Sequence, residues 1–83
     1  RGGYMQETTL FNVKLLEEAN IKMTLKEVKD ILEERGYNPI NQLAGYLMSG
    51  DPGYITSYKG AREKIVSLER TQVLAIMLED FLK

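Results

Sequence analysis

Residues 36–52 contain the clearest helix boundaries in this chain, and both of its prolines stand there. Gly36 follows a helical pattern and can take the left-handed conformation that often ends a helix. Asn38 is a good N-cap, and Pro39 stands at the first helical position, where its missing N–H costs nothing. Gly50 and the Asp-Pro pair after it then end this second helix. The residues on which this interpretation depends are Gly36, Asn38, Pro39, Gly50, Asp51 and Pro52.

The size and composition of the chain exclude several kinds of site. It has 83 residues, which predicts a single domain with a modest core. It has no Cys and no His, so we expect no disulfide, no metal and no cofactor. The net charge of −1 does not favour general binding of nucleic acid. No apolar run approaches the roughly 18 residues of a membrane span and no secretory signal pattern is present, which predicts a cytoplasmic protein with no membrane insertion.

Apolar periodicity predicts an all-α fold, a small compact domain of four to five helices over residues 16–83. The predicted helices cover residues 16–35, 39–49, 58–69 and 72–82. Thr24 and Glu27 have capping-box spacing, which allows a new start inside the first helix, and Thr71 is the predicted N-cap of the last. Residues 1–15 are predicted to form an extended or mobile N-terminal arm, because the chain begins with polar residues and glycines.

The last predicted helix has more apolar residues than one buried face requires. Residues 73–78 are all apolar, and two more apolar residues follow, whereas a surface helix normally has an apolar stripe of about 100° or slightly more. Self-association would bury the excess, so we predict a homodimer. The predicted interface residues are Val73, Leu74, Ile76, Met77 and Phe81. The alternative is a central helix that is wrapped by its own chain.

Three cations fall in one line on the third predicted helix, at spacings of three and four residues. They are Lys59, Arg62 and Arg70, with Val66 between them. Such a line could bind a phosphorylated or acidic group of a partner, and the tyrosines nearby leave nucleic acid as a distant third function. The plain alternative is a solvated helix face. The adjacent carboxylate pairs diverge around their helices, so no acid–base pair is predicted and we expect no enzyme activity.

The spacing of these motifs resembles that of the IreB family, which is also known as ReoM. The resemblance is carried by Gly-Tyr-Asn-Pro-Ile-Asn-Gln at 36–42, Gly-Tyr-Leu at 45–47 and Ser-Gly-Asp-Pro at 49–52, and it continues through Leu-Glu-Arg at 68–70. It implies a small helical homodimer of Gram-positive bacteria that acts as a regulatory phosphoprotein and not as an enzyme. It also implies that a membrane-anchored Ser/Thr kinase with extracellular PASTA repeats phosphorylates the protein.

The resemblance further implies a role in cell-envelope homeostasis and peptidoglycan precursor supply. The family's phosphorylated threonine lies in the N-terminal arm, a few residues before a phenylalanine. Thr8 and Thr9 both precede Phe11 at such a spacing. The predicted function is therefore protein–protein binding that is switched by threonine phosphorylation in the arm, with an unknown downstream partner. The alternative is a constitutive dimeric adaptor without the switch.

Overall fold

The protein is built from one long helix and three shorter ones. In this computed structural model the side chains of residues 14–83 are described. The helices are α1 (Gly2–Glu34), α2 (Pro39–Ser49), α3 (Ala61–Val66) and α4 (Arg70–Phe81), with 3₁₀ turns at Pro52–Tyr54 and Tyr58–Gly60. No strand occurs among the described residues. The all-α prediction is confirmed.

From Gly2 onward, the backbone of the predicted N-terminal arm belongs to α1. Residues 1–13, which include Thr8 and Thr9, lie outside the residues whose side chains are described. Lys14 and Leu15 are helical and not extended. The helix also continues through Thr24 without a break, so the capping-box spacing there does not mark a new start. The division into an arm of 1–15 and a domain of 16–83 stays a prediction.

Gly36 ends α1 through paired backbone hydrogen bonds. Its φ is +80°, its N–H donates to the Glu33 carbonyl at 3.0 Å, and the Tyr37 N–H donates to the Leu32 carbonyl at 2.9 Å. These two bonds are those of a Schellman motif, which needs a left-handed residue after the last helical turn. The helix end predicted at Gly36 is confirmed.

Both predicted boundaries of α2 are also confirmed. The Asn41 N–H donates to the side-chain oxygen of Asn38 at 3.1 Å, which is the N-cap bond, and Pro39 occupies the first turn. At the other end Gly50 has φ +76° and its N–H donates to the Tyr46 carbonyl at 2.7 Å. The Asn41 N–H at the start of α2 and the Tyr46 carbonyl at its end are therefore satisfied by local partners.

The loop after α2 folds back on the helix. Asp51 caps a 3₁₀ turn by accepting the Gly53 N–H at 2.9 Å, and Pro52 begins that turn. The turn places the Tyr54 ring directly on Gly45, where an added Cβ would lie 2.7 Å from Cε1 of the ring. Glycine in the middle of this helix is therefore explained by a close approach that any side chain would block.

The third predicted helix is wrong as a single element. Lys59 and Gly60 have φ of +50° and +75°, and a helix cannot continue through two left-handed residues. Residues 58–60 form a 3₁₀ turn, and α3 is only Ala61–Val66. The Ser67 hydroxyl donates to the Lys64 carbonyl at 2.6 Å where α3 ends.

The predicted start of the last helix is wrong by two residues. α4 begins at Arg70, and Glu69 is at the N-cap position without a side-chain capping bond. Thr71, the predicted N-cap, lies inside the first turn. Nothing in the structure explains the choice of Glu69 for this position.

The core lies where the second half of α1 packs against α2, α3 and α4. The helical repeat predicts an apolar stripe on α1 at Ile21, Leu25, Val28 and Leu32. The structure buries Ile21, Val28 and Leu32 and partly buries Leu25, so this prediction is confirmed. On α2 the sequence predicts Ile40, Leu43, Ala44 and Leu47 as the buried face. Only Leu47 is fully buried, and Ile40 is 74% exposed. The complete set of buried core residues is Ile21, Val28, Leu32, Tyr46, Leu47, Ile55, Ala61, Ile65, Leu68, Val73 and Ile76.

Candidate protein-binding surfaces

The three predicted phosphate-binding cations lie on three different elements. Lys59 is in the second 3₁₀ turn, Arg62 is on α3 and Arg70 begins α4. The backbone turns between them, so the helical line that the spacing predicts does not exist. Each of the three side chains has a partner within the chain. Their role toward a phosphate stays a prediction.

Lys59 forms an exposed ion pair with the end of α1. Its Nζ lies 3.0 Å and 3.1 Å from the two carboxylate oxygens of Glu34, and the Tyr58 hydroxyl donates to the same carboxylate at 2.9 Å. The hydrogen bonds from Lys59 and then Tyr58 lower the pKa of Glu34, and the bond to Glu34 raises the pKa of Lys59. The Arg35 guanidinium lies over the Tyr58 ring, 4.7 Å from its centroid, in cation–π geometry.

Arg62 and Arg70 bind backbone carbonyl groups. The Arg62 Nε donates to the Ile55 carbonyl at 2.8 Å, which holds the loop before the second 3₁₀ turn against α3. The Arg70 Nη1 donates to the Leu47 carbonyl at 2.9 Å. Leu47 is in the last turn of α2, where carbonyls lack a partner within the helix, so Arg70 connects the start of α4 to the end of α2. Each guanidinium retains further N–H donors.

The predicted interface residues of α4 lie on two opposite sides of the helix. Val73 and Ile76 are buried in the core of their own chain, so they present little surface to a second copy, and their place in an interface stays a prediction. Leu74 and Met77 are 41% and 46% exposed, and Phe81 is 84% exposed. The sequence allows two alternatives for α4, a surface for self-association and a helix wrapped by its own chain. The chain covers the side with Val73 and Ile76, and the side with Leu74, Met77 and Phe81 is open.

The open side of α4 continues onto α2 and α1 as a single apolar surface. Three adjoining depressions compose it, and Met77 lines all three. We call it the α2–α4 surface. Its apolar members are Leu25, Pro39, Ile40, Leu43, Ala44, Leu47, Met48, Leu74, Met77, Leu78 and Phe81. Exposed apolar surfaces are typical of sites that another protein, a membrane or a ligand covers.

The charged residues of the α2–α4 surface lie at its margins. Lys26, Lys29 and Glu33 line the depression on the α1 side, and Asp80 lines the depression at the end of α4. The central depression is lined by apolar residues of α2 and α4 alone. Sequence reasoning missed Ile40 and Met48 here. The available signal was the number of apolar residues on α2, which has them at positions 40, 43, 44, 47 and 48. Of these five residues only Leu47 is buried in the core.

The polar cluster at residues 37–42 forms the start of α2, as the sequence predicts from Asn38 and Pro39. Asn38 accepts the Asn41 N–H through its side chain and the Gln42 N–H through its carbonyl, at 3.1 Å in both cases. In the part of the chain that the structure describes, no group of three or more acidic residues has metal-site geometry. Within the same residues, no helix is both long and apolar enough to cross a membrane.

Comparison with known proteins gives a family and a relative that match most of the chain. The family model described as IreB regulatory phosphoprotein matches residues 6–83, which include both arm threonines and the whole α2–α4 surface. A protein of Ruminiclostridium cellulolyticum named UPF0297 protein is 46% identical over 79 residues, which are 95% of this chain and 90% of that protein.

Proposed function

The chain belongs to the IreB family of regulatory phosphoproteins, and from that premise we propose that it regulates by binding other proteins, itself included. The observation that carries the proposal is the α2–α4 surface, an exposed apolar surface with charges at its margins. We further propose that threonine phosphorylation in the arm switches this binding, and that the regulated process is cell-envelope and peptidoglycan homeostasis in the cytoplasm of a Gram-positive bacterium.

A second copy of the chain is the proposed occupant of the α2–α4 surface. In a two-fold dimer the α2–α4 surfaces of the two copies contact each other. One margin of the first copy can then lie opposite the other margin of the second copy. Lys26 and Lys29 lie at one margin together with Glu33, which pairs with Lys29, and Asp80 lies at the other margin. This pairing brings the lysines of one copy towards the carboxylate of Asp80 in the second, and opposite charges favour it. Leu74, Met77 and Phe81 then lie at the interface, as the sequence predicts.

The proposed switch uses Thr8 or Thr9 as the acceptor of a kinase. A phosphate adds about −1.5 to −2 charge and strong acceptor oxygens. We propose Lys59, Arg62 and Arg70 as the partners of this phosphate. The phosphorylated arm then either docks on these cations or prevents another protein from binding them. The ion pair with Glu34 gives Lys59 an exchangeable partner on the surface, and surface ion pairs contribute little to stability. Lys59 can therefore change partner at small cost to the fold.

Phosphorylation by a PASTA-repeat kinase tests the switch directly. The kinase domain should incorporate phosphate into the wild type, and the double variant Thr8→Ala, Thr9→Ala should lose it, as read by peptide mass spectrometry. NMR chemical shifts of the second 3₁₀ turn and α3 should move on phosphorylation, and less so in Lys59→Ala. Thr56→Ala is the control for the kinase, since Thr56 lies outside the arm.

Two outcomes would contradict parts of this proposal. If the double variant still takes up phosphate, the arm is not the modified segment. If the arm is phosphorylated while neither the shifts nor the dimerisation constant change, the chain is better described as a constitutive adaptor, which is the second candidate function. The α2–α4 surface supports that adaptor function equally, because it needs no phosphate.

A further inference from the structure

Two of the chain's four methionines belong to the α2–α4 surface. Met48 at the end of α2 is 85% exposed, and Met77 lines all three depressions. Met23 on α1 is exposed as well, but it lines none of them. The single chain therefore presents two partly or largely exposed methionine side chains at the central depression of its proposed binding surface.

We propose that Met48 and Met77 are oxidation sites whose conversion to sulfoxide dissociates the protein from its second copy. This inference rests on the proposed self-association through the α2–α4 surface. The oxidant is a peroxide. The thioether sulfur attacks one oxygen of hydrogen peroxide, and the S–O bond forms as the O–O bond breaks. The departing hydroxide takes the proton of the transferred hydroxyl group and leaves as water. Methionine is oxidised by two electrons and the peroxide is reduced, and a sulfoxide reductase reverses the change.

The neighbours of the two sulfurs explain why the oxidised surface would bind weakly. The depression that Met48 and Met77 share is lined otherwise by five apolar residues: Ile40, Leu43, Ala44, Leu47 and Leu74. A sulfoxide oxygen buried among these side chains has no donor from them, and burying a polar group without a hydrogen bond is unfavourable. Two-fold symmetry places four such oxygens in one interface.

The fold of the single chain should survive the oxidation. Met48 and Met77 belong to none of the fully buried positions, so their sulfoxides can face water in the separated chain. Reaction takes place on the separated chain, where the sulfurs are open, and the dimer protects them. Oxidation therefore removes chains from the dimer by mass action without unfolding them.

Sedimentation equilibrium of the full chain before and after hydrogen peroxide treatment tests the inference. Peptide mass spectrometry gives the sulfoxide content of each methionine, and far-UV circular dichroism monitors the helices. Oxidation should raise the dimer dissociation constant of the wild type by about tenfold or more. A tenfold rise corresponds to a loss of about 1.4 kcal/mol of association free energy. The circular dichroism spectrum should stay unchanged.

Two double variants separate this surface from the other sulfurs. Met48→Leu with Met77→Leu keeps the surface apolar and should remain dimeric after peroxide, because leucine and methionine are close in volume. Met5→Leu with Met23→Leu is the matched control and should dissociate as the wild type does.

Each alternative outcome has a definite meaning. A wild type that stays dimeric with Met48 and Met77 fully converted overturns the inference and leaves the dimer intact. Equal dissociation of the Met48→Leu, Met77→Leu variant also overturns it, as does failure of the two sulfurs to react in dilute protein. If the unoxidised protein is monomeric, the proposed self-association is wrong and this inference is wrong with it.

Discussion

Replacing Arg70 with alanine should destabilise the fold, although Arg70 is an exposed residue that the sequence suggests for phosphate binding. Its Nη1 donates to the Leu47 carbonyl at 2.9 Å, in the last turn of α2. The guanidinium also covers Gly50, where an added Cβ would lie 2.8 Å from its central carbon. The substitution removes both the hydrogen bond to Leu47 and the packing on Gly50, which connect the first residue of α4 to the end of α2.

The size of the effect follows from the kind of bond. A hydrogen bond from a charged donor contributes about 1.5–3 kcal/mol to stability. Since the side chain is exposed overall, solvent screening reduces the expected loss to about 1–2 kcal/mol. For a domain of this length such a loss lowers the melting temperature by about 4–16 °C.

Thermal unfolding by circular dichroism at one fixed protein concentration measures the loss, because self-association would make the melting temperature depend on concentration. Gln72→Ala is the matched control. It also replaces an exposed residue of the first turn of α4 with alanine, and none of the described side-chain hydrogen bonds involves Gln72. If Arg70→Ala and Gln72→Ala melt at the same temperature, the bond to Leu47 adds nothing and the reasoning is refuted. A confirmed loss would make Lys59 the better site for testing phosphate docking.

Three further predictions concern a cap, an ion pair and the surface of α4. Asn38→Ala should lower the free energy of unfolding by about 1 kcal/mol in a chemical denaturation series, and an unchanged midpoint would contradict the capping bond. Because the pKa of Glu34 is lowered in the fold, its contribution to stability is present above about pH 4.5 and is lost as the pH falls below that value. Glu34→Gln should therefore flatten the acid side of a stability–pH curve, whereas an unaltered curve would show that the pair with Lys59 has no thermodynamic effect. Leu74→Asp should give a folded monomer in sedimentation and circular dichroism experiments, while Ile76→Asp should unfold, since only Ile76 is in the core; a dimeric Leu74→Asp protein would place the interface elsewhere.

Features that depend on a few neighbouring residues could be predicted from the sequence. The ends of α2 are decided by Asn38, Pro39 and Gly50. Asn38 accepts a backbone N–H three residues later, Pro39 lacks the N–H that would have no partner, and Gly50 donates to a carbonyl four residues earlier. Gly36 ends α1 for the same reason. The stripe of Ile21, Val28 and Leu32 also needed only the helical repeat of 3.6 residues.

Features that depend on distant contacts were decided by the tertiary structure. Val73, Leu74, Ile76 and Met77 are equally apolar in the sequence, and only the packing of α4 on the core separates the buried pair from the exposed pair. Lys59 lies in a left-handed conformation that no residue type signals. The backbone turns at Lys59, and the Lys59 side chain pairs with Glu34, which is 25 residues earlier. Local residues determine the end of α1 and both ends of α2, whereas packing between distant segments determines which helix faces remain free for a partner.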